Sequence, residues 1–599
     1  MSSSETAASG FLSQHRLAIA ITAAVGIGSL AGLLYHLNKQ PKDDLKDSKD
    51  KTPSPKKAKK KNHRKRKKKT EKKDAVKAIY PVSSNGEPLI TKEDVEKLSA
   101  DDKAKWATAL KEKGNGFFKN SEYKTAVDYY TKALLCKEEA VYYSNRSACY
   151  SALGDNENVV KDTTSALKID PGYKKCLLRR ARAYENLEKY SEAMFDLTAL
   201  TIYGGMNDSA NEAMLERNLK KQSAKVLKEK YSELPKVLPS TSSLSSFFQA
   251  FVPEEIDLDA SHYKEGSGER ALVEGINKLK SDTEEDYQAA DVSINQAVAQ
   301  FDKSAEGVDP KLVAMAYEYS ASFEFLKTDR DHAIELLENA IKISPRPRTY
   351  VIMALIKADS GDYTEANSNF SKAIKLNPED PDIYYHYAQI FYLVGDLAKA
   401  KTNFEKCTSL NSKNIYAYIQ LACLAYRQGD SNKCNSLFEK ARKMFPTSPE
   451  IPNYYGEILF DRQDFDGALD QFEISIKLQK AGKGYSIGAL PLVNESAIYQ
   501  RKGETEKSVK ILKEACELDP KSEVARLSLG QAYLAQQKVD EAIKLFDEAC
   551  TLARSPDDKM QAISLMEASK MQLKIRNDPI LSSKVQEILS TLPQTPGQL

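Results

Sequence analysis

Histidine and tryptophan are scarce in this chain of 599 residues, which has six of the first and one of the second. No His-Glu-x-x-His pattern and no Gly-x-x-x-x-Gly-Lys-Ser/Thr pattern occurs, so the usual signatures of zinc hydrolases and phosphate-binding loops are missing. The eight cysteines form no Cys-x-x-Cys pair, and they fall where helical patterns place small apolar residues. These absences predict a protein that is not an enzyme, holds no cofactor and no metal, and keeps its cysteines reduced.

A block of about 34 residues recurs along most of the chain. Each block has two apolar stretches with a period of 3.6 residues, separated by a short polar break. A short insertion between Gly482 and Pro491 interrupts the spacing once. The pattern predicts a helix-turn-helix in every block. The marker positions, mostly alanine five residues before proline, are Ala340, Ala373, Cys407, Ala441, Ser475, Ala515 and Ala549.

This pattern resembles the tetratricopeptide (TPR) family, whose unit has 34 residues with small residues where its two helices cross. Helices whose axes approach within about 8 to 10 Å have no room there for bulky side chains. The first copy fits the family at Gly114, Phe117, Ala126, Tyr130 and Ala133. The resemblance implies an all-α fold, a TPR superhelix whose inner surface comes from the first helix of every unit.

The N-terminal part is built differently. Leu17 to Tyr35 is an uncharged run, and its 19 residues would span about 28 Å as a helix, close to the hydrocarbon thickness of a bilayer. A cleavable signal peptide is the alternative, but its apolar core is normally shorter, so we interpret the run as a transmembrane anchor. Gly28 and Gly32 could let two such helices pair as a homodimer, or could simply moderate hydrophobicity.

A strongly basic segment follows the apolar run. Between Lys56 and Lys73 there are thirteen Lys or Arg residues and one acid, a local charge of +12 in a chain of +3, which leaves -9 for the rest. So much positive charge beside an apolar run favours the cytosolic side. A nuclear localisation signal or a nucleic-acid arm is the alternative, but no aromatic residue is present to stack on bases. We therefore predict no nucleic-acid partner and a disordered spacer next to anionic lipid.

Five polar residues in the first three units are expected on one surface. Lys111 and Asn115 are four residues apart on one helix, Lys175 and Arg179 are four apart on another, and Asn145 lies in the unit between them. Three cations and two amides would converge there with no acid among them, and clustered like charges repel one another unless an anion binds. The ordinary alternative is a solvated face; the spacing favours a site for a peptide carboxylate.

The stretches LKEKGN (Leu110 to Asn115), YYSNRSA (Tyr142 to Ala148) and KCLLRRA (Lys175 to Ala181) resemble the dicarboxylate-clamp subset of TPR domains. The resemblance implies that the five polar residues, called the clamp from here on, bind the terminal carboxylate and the last aspartate of a Glu-Glu-Val-Asp tail. Such tails end heat-shock protein 70 and 90 chaperones.

An anchor, a basic spacer, a clamp domain and a second long TPR array together resemble the large preprotein receptor of the mitochondrial outer-membrane translocase, over essentially the whole chain. IYPVSSNGEP (Ile79 to Pro88), YIQLACLAYR (Tyr418 to Arg427) and SPDDKMQAISLMEASKMQ (Ser555 to Gln572) resemble fungal members. The resemblance implies a single-pass outer-membrane protein with its N-terminus in the intermembrane space and its bulk in the cytosol. A chaperone-docking adaptor at the endoplasmic reticulum is the alternative.

The resemblance also implies the partners. Chaperones would deliver hydrophobic preproteins, especially inner-membrane carriers, and the C-terminal array would bind their internal targeting signals before transfer to other translocase subunits. First helices of that array offer an aromatic lining suited to apolar helices, although some of these side chains could instead pack between repeats. The candidate preprotein-binding residues are Tyr350, Met353, Tyr384, Tyr387, Tyr416, Tyr418 and Gln420.

A Ser- and Pro-containing stretch after Lys236 separates the two arrays. Its cluster of Phe247, Phe248 and Phe251 is either a helix-face anchor or a mobile recognition segment. The predicted domains are an N-terminal tail (1–16), a transmembrane anchor (17–37), a disordered basic spacer (38–78), an N-terminal TPR clamp domain (79–235), a linker (236–263) and a C-terminal TPR array with a capping helix (264–599).

Overall fold

The computed structural model describes residues 79–84, 86–204, 209–281, 283–482 and 487–591, and these fold almost entirely as α-helices. Apart from an isolated antiparallel bridge between Val82 and Pro88, no strand pairing occurs in this part of the chain. The prediction of an all-α fold is confirmed.

The helices are α1 (Lys92–Glu96), α2 (Ala100–Lys119), α3 (Tyr123–Cys136), α4 (Ala140–Leu153), α5 (Asn156–Ile169), α6 (Lys174–Asn186), α7 (Tyr190–Gly204), α8 (Ser209–Lys230), α9 (Thr241–Gln249), α10 (Gly268–Lys278), α11 (Glu284–Lys303), α12 (Pro310–Leu326), α13 (Arg330–Ile343), α14 (Pro347–Asp359), α15 (Tyr363–Leu376), α16 (Pro381–Leu393), α17 (Leu397–Leu410), α18 (Ile415–Arg427), α19 (Ser431–Met444), α20 (Glu450–Asp461), α21 (Phe465–Ala481), α22 (Leu490–Arg501), α23 (Thr505–Leu518), α24 (Glu523–Ala535), α25 (Val539–Leu552), α26 (Pro556–Asn577) and α27 (Pro579–Thr591), with a 3-10 turn at Ala260–His262.

The predicted tail (1–16), anchor (17–37) and basic spacer (38–78) lie outside the described residues. Within the described ranges, no helix combines the length and the apolar character that a membrane crossing requires.

A left-handed residue and a capping aspartate join the two helices of several units. Gly154, Gly361 and Gly395 have φ angles of 76°, 81° and 83°, which glycine adopts without steric cost. The aspartate after each glycine then caps the second helix: the Asp362 carboxylate, for example, accepts a hydrogen bond from the Glu365 backbone N–H at 3.0 Å. The polar breaks in the sequence are therefore both turns and N-caps.

In several units an aromatic ring of the second helix lies directly against the backbone of the first. A Cβ atom built on Gly456 would lie 2.6 Å from the Phe472 ring, and one on Gly530 would lie 2.5 Å from the Phe546 ring. Such close contacts explain why the sequence repeats small residues and aromatic residues in step. The fully buried phenylalanines that recur at intervals of 34 residues are Phe370, Phe404, Phe438 and Phe472.

The chain divides into two compact units. Among the described residues, the larger unit is Ser223–Lys570, and the smaller one comprises the residues up to Gln222 together with those from Met571 onward. Within the smaller unit, α27 packs on α7, and Leu581 shares a core with Leu200. The sequence pattern predicts that 571–599 belong to the C-terminal array, whereas the structure groups the described part of this range with the unit that carries the first three repeats.

The stretch between the two predicted arrays, 236–263, contains α9, which packs inside the larger unit. The ring centroids of Phe248 and Phe323 are 5.0 Å apart, and those of Phe251 and His386 are 4.4 Å apart. The phenylalanine cluster is therefore a helix-face anchor, the first of the two alternatives that the sequence left open.

Candidate functional site

Three successive first helices, α2, α4 and α6, carry the clamp. Lys111 and Asn115 lie on α2, Asn145 lies on α4, and Lys175 and Arg179 lie on α6. Helix α4 contacts both α2 and α6, in addition to the second helix of its own unit. The three first helices therefore form one continuous face in the smaller unit.

Hydrogen bonds fix the two clamp amides. The Tyr130 hydroxyl donates to Asn115 Oδ1 at 2.7 Å, and Asn145 Nδ2 donates to the same oxygen at 3.3 Å. Because Asn115 Oδ1 already accepts two hydrogen bonds, its Nδ2 group is the part of the amide left to bind a ligand. The two asparagines therefore meet across the α2–α4 boundary as hydrogen-bond donors, which suits an anionic ligand.

The Arg179 guanidinium is held in place by neutral acceptors. Its Nη1 atom donates to the Ser144 carbonyl oxygen at 2.8 Å and to Ser147 Oγ at 2.9 Å. No carboxylate pairs with Arg179 in the part of the chain that the structure describes, and burial lowers the pKa of its guanidinium. A half-buried cation without a counter-ion is costly, so the position favours an external carboxylate.

The neighbouring arginines behave differently. Arg146 on α4 binds both oxygens of Asp162, at 2.8 and 2.7 Å, and Arg180 on α6 binds both oxygens of Asp196, at 2.8 and 2.6 Å. Each pair joins the first helix of a unit to its second helix, and both aspartates are buried. These arginines are therefore structural, which separates them from Arg179 although Arg180 is its immediate neighbour.

The two clamp lysines complete the positive face. Lys111 is half-buried and Lys175 is exposed. Neither makes an ion pair within the described residues. The clamp therefore presents three cations and two amide donors without a carboxylate among them, the arrangement that its sequence spacing predicts.

Sequence reasoning missed the side chains that hold the clamp, Tyr130, Ser144 and Ser147. The two serines stand on either side of Asn145 and Arg146 in the stretch YYSNRSA, and both are buried. Polar residues repeated on the buried side of a helix were the available signal, since a buried hydroxyl needs a hydrogen-bond partner.

Gly114 controls the clamp through Tyr130. A Cβ on Gly114 would lie 2.9 Å from Cε1 of the Tyr130 ring, whereas a Cβ on Gly116 would meet no atom within 4 Å. We expect Gly114→Ala to lower the melting temperature and to weaken ligand binding at Asn115, because displacing the ring costs about 1 to 3 kcal/mol. Gly116→Ala on the same helix is the control, and it should raise the melting temperature slightly. Equal effects of the two substitutions would contradict this account.

Three of the seven candidate preprotein-binding residues are buried inside the larger unit. The exposed fractions of Met353, Tyr418 and Gln420 are 6%, 7% and 9%. These three side chains pack between helices in the structure and present little surface to a ligand.

The other four candidates, on α14, α16 and α18, are partly exposed. The Tyr387 ring stacks on Phe370 with centroids 4.4 Å apart, and the Tyr384 hydroxyl donates to the Pro378 carbonyl at 2.7 Å. These tyrosines are therefore positioned by the fold while part of each ring remains accessible. The four partly exposed candidates are Tyr350, Tyr384, Tyr387 and Tyr416.

A carboxyl group outside the sequence-predicted sites lies on α20. Glu457 Oε1 accepts hydrogen bonds from Asn453 Nδ2 at 3.0 Å and from Asn494 Nδ2 at 2.9 Å. Burial raises the pKa of Glu457 to about 7, and the two amides lower it only in part. No lysine or arginine forms an ion pair with this carboxyl within the described ranges, so the group is half-protonated near neutral pH.

This shift predicts a pH-dependent effect on stability. The pKa of Glu457 is higher in the folded protein than its ordinary value of 4.5, so the stabilisation from the bound proton is lost as pH rises from about 4.5 to about 7. Glu457→Gln keeps a neutral acceptor for both asparagines. We expect the melting temperature of this variant, relative to the parent, to rise between pH 5 and pH 8. A constant or falling difference would show that the carboxyl titrates normally.

Glu324, Asp329 and His332 are the group within the described residues whose ligand atoms lie close enough, within 4.8 Å, to hold a metal ion. Both acids already have cationic partners. Glu324 pairs with Lys327 at 2.9 Å, and Asp329 pairs with Lys236. The donor set is therefore a network of ion pairs, and it does not fit a metal site well.

Gly484 to Gly488 reads Gly-x-Ser-x-Gly, the spacing of the nucleophile elbow of serine hydrolases. That motif requires a strand before the serine and a helix after it. The described residues immediately before it form the end of α21, and Ser486 itself lies outside the described residues. The described residues that precede this stretch are therefore helical, whereas the motif requires a strand there.

Comparison with known proteins agrees with the fold and identifies similar proteins. Models described as TPR repeat and tetratricopeptide repeat match residues 354–395, 381–414, 419–482 and 500–558. The chain is 40% identical over 544 residues to the mitochondrial import receptor subunit TOM70 of Saccharomyces cerevisiae, covering 86% of this chain and 87% of the relative. The human protein of the same name is 26% identical over 502 residues, covering 78% and 80%. The crystal structure of yeast Tom70 covers 81% of this chain and 100% of its own, with 42% identity and a TM-score of 0.54. The predicted TPR fold is confirmed.

Proposed function

The chain belongs to the family of Tom70 mitochondrial import receptor subunits, and from this premise we propose that its clamp docks the C-terminal tail of a cytosolic chaperone. The protein is an import receptor of the mitochondrial outer membrane and not an enzyme. The predicted family and receptor function are confirmed. As a receptor of this family it works with chaperones, preproteins and the TOM complex. The observation that carries the proposal is the half-buried Arg179, which serine oxygens hold in place without a carboxylate partner.

A Glu-Glu-Val-Asp tail supplies the carboxylates that this face lacks. Its last residue carries two carboxylates, one from the chain end and one from the aspartate side chain, and the clamp offers three cations and two amides. Charge-assisted hydrogen bonds contribute about 1.5 to 3 kcal/mol each, and the cost of ordering a flexible tail brings the total to about micromolar affinity. Heat-shock protein 70 and 90 chaperones are the proposed sources of the tail.

The proposed preprotein site lies in the larger unit, where Tyr350, Tyr384, Tyr387 and Tyr416 are partly exposed on first helices. Aromatic rings with polar tips accommodate varied apolar helices, as the hydrophobic precursors of inner-membrane carriers would require. In this proposal, residues 79–235 bind chaperone tails and residues 264–599 bind preproteins.

The proposed topology rests on the N-terminal sequence. A single span at 17–37 would leave residues 1–16 in the intermembrane space, and the basic spacer would keep residues 38–599 in the cytosol. Pairing of two spans through Gly28 and Gly32 would give a homodimer.

Import into isolated mitochondria tests the chaperone proposal. Mitochondria that carry this chain in place of their own receptor should import a hydrophobic carrier precursor, and excess Glu-Glu-Val-Asp peptide should inhibit that import. The same peptide with an amidated C-terminus should not inhibit. Import that neither peptide affects would refute docking through the clamp.

Binding of precursor segments tests the second site. Tyr350→Ala and Tyr384→Ala should each weaken binding of an apolar carrier segment by about 3-fold or more, since each removes part of a buried aromatic contact. Tyr363→Ala is the matched control, because Tyr363 begins α15, a second helix, with 41% of its surface exposed. If all three variants bind equally well, the site lies elsewhere.

A further inference from the structure

Arg182 occupies the same place in its repeat as the clamp residue Asn115. A fully buried small residue marks the helix crossing in each of the first three units, and the residue after it begins the exposed face. In unit one the two are Gly114 and Asn115, and in unit three they are Ala181 and Arg182. Arg182 also follows Arg179 by three residues, which places both side chains on one face of α6.

Arg182 has no partner that would explain it. It is exposed, and neither an ion pair nor a hydrogen bond of its side chain occurs in the described part of the chain. Burial is the main reason why the pKa of Arg179 is lowered, and the nearby charge of Arg182 lowers it further. Two neighbouring cations thus repel each other on the face that carries the clamp.

The acid closest in sequence cannot neutralise Arg182. Glu185 follows it by three residues, but its oxygens pair with Arg217 at 2.8 Å and with Lys221 at 2.9 Å. These two cations on α8 lower the pKa of Glu185 to about 2. The carboxylate is therefore fully occupied in joining α8 to α6.

We infer that Arg182 extends the clamp and binds the glutamate two residues before the terminal aspartate of the docked tail. This inference rests on the proposed function. In an extended peptide, side chains two residues apart point to the same side and lie about 6.6 Å apart. Side chains three residues apart on a helix are about 5 to 6 Å apart. Arg179 at the terminal aspartate and Arg182 at the second glutamate therefore match the repeat of an extended tail.

The role predicts selectivity among acidic tails. A tail with glutamine at that position keeps its terminal carboxylates and loses only the contact to Arg182. A bidentate, charge-assisted contact between a carboxylate and a guanidinium is stronger than the average exposed ion pair, so the contact should be worth about 3- to 10-fold in affinity. The first glutamate of the tail points to the other side and should not be read by Arg182.

Fluorescence anisotropy with the full-length chain and three labelled peptides tests this inference. The peptides end in Glu-Glu-Val-Asp, Glu-Gln-Val-Asp and Gln-Glu-Val-Asp. Arg182→Ala should weaken the first and third about 3- to 10-fold and leave the second nearly unchanged. Lys168→Ala removes the same charge from an exposed site on the second helix α5, and it should change no affinity by more than about 1.5-fold.

Two outcomes would overturn the inference. One is an Arg182→Ala variant that binds all three peptides as the parent does. The other is equal weakening for all three, which would show a diffuse charge effect. Arg179→Ala in the same series separates this inference from the proposed function: if Arg179→Ala abolishes binding while Arg182→Ala does nothing, the clamp stands and only the role of Arg182 fails.

Discussion

Arg179→Ala should weaken binding of a Glu-Glu-Val-Asp peptide by at least about 30-fold, because removing one partner of a desolvated charge pair costs about 2 kcal/mol or more. Ser144 and Ser147 position the guanidinium before any ligand binds, so binding loses little free energy to ordering the Arg179 side chain. Anisotropy of a labelled peptide measures the loss directly.

Stability is the control for this variant. Arg179 donates hydrogen bonds to neutral oxygens and pairs with no carboxylate in the described chain. Its removal therefore leaves no buried charge without a partner. The melting temperature of Arg179→Ala should stay within about 2 °C of the parent. A variant that unfolds early, or one that keeps parental affinity, would contradict the assignment of Arg179 to ligand binding.

Arg180→Ala, one residue further along α6, should have the opposite effect. Asp196 is 1% exposed, and both its oxygens bind Arg180. Truncating the arginine leaves a buried carboxylate without a partner, at a cost of about 3 to 5 kcal/mol in the free energy of unfolding. Denaturant unfolding followed by circular dichroism should show this loss, while peptide affinity below the transition changes little.

The double variant Arg180→Met with Asp196→Leu distinguishes this mechanism from simple loss of packing. It removes both charges together and fills the same space with apolar side chains. Most of the lost stability should return, because replacing a buried pair by apolar residues is close to neutral. A double variant as unstable as Arg180→Ala would mean that the pair itself, and not the stranded charge, supplies the stability.

The repeat architecture could be predicted from the sequence because contacts within each unit determine it. Small residues such as Gly456 and aromatic residues such as Phe472 recur together, since in several units a ring of the second helix lies on the backbone of the first. The clamp was readable for a related reason. Residues four apart on a helix share a face, so Lys111 with Asn115 and Lys175 with Arg179 had to align once the helices were known.

Contacts between distant parts of the chain were not readable in this way. A helical period predicts which face is covered but not which partner covers it, and so it could not show that Leu581 packs with Leu200. The same limit explains the tyrosine candidates. Tyr418 is 7% exposed, and its ring packs against Phe445, which directly follows α19; the pattern in α18 does not encode this contact.

The most direct test of the central claim compares one labelled Glu-Glu-Val-Asp peptide with its C-terminally amidated form, both titrated with the full-length chain. The clamp recognises two carboxylates at the end of the tail, and amidation removes one of them while the rest of the peptide stays the same. We predict micromolar binding of the free acid and at least about 30-fold weaker binding of the amide. Equal affinity for the two peptides, or no binding of either, would contradict the account.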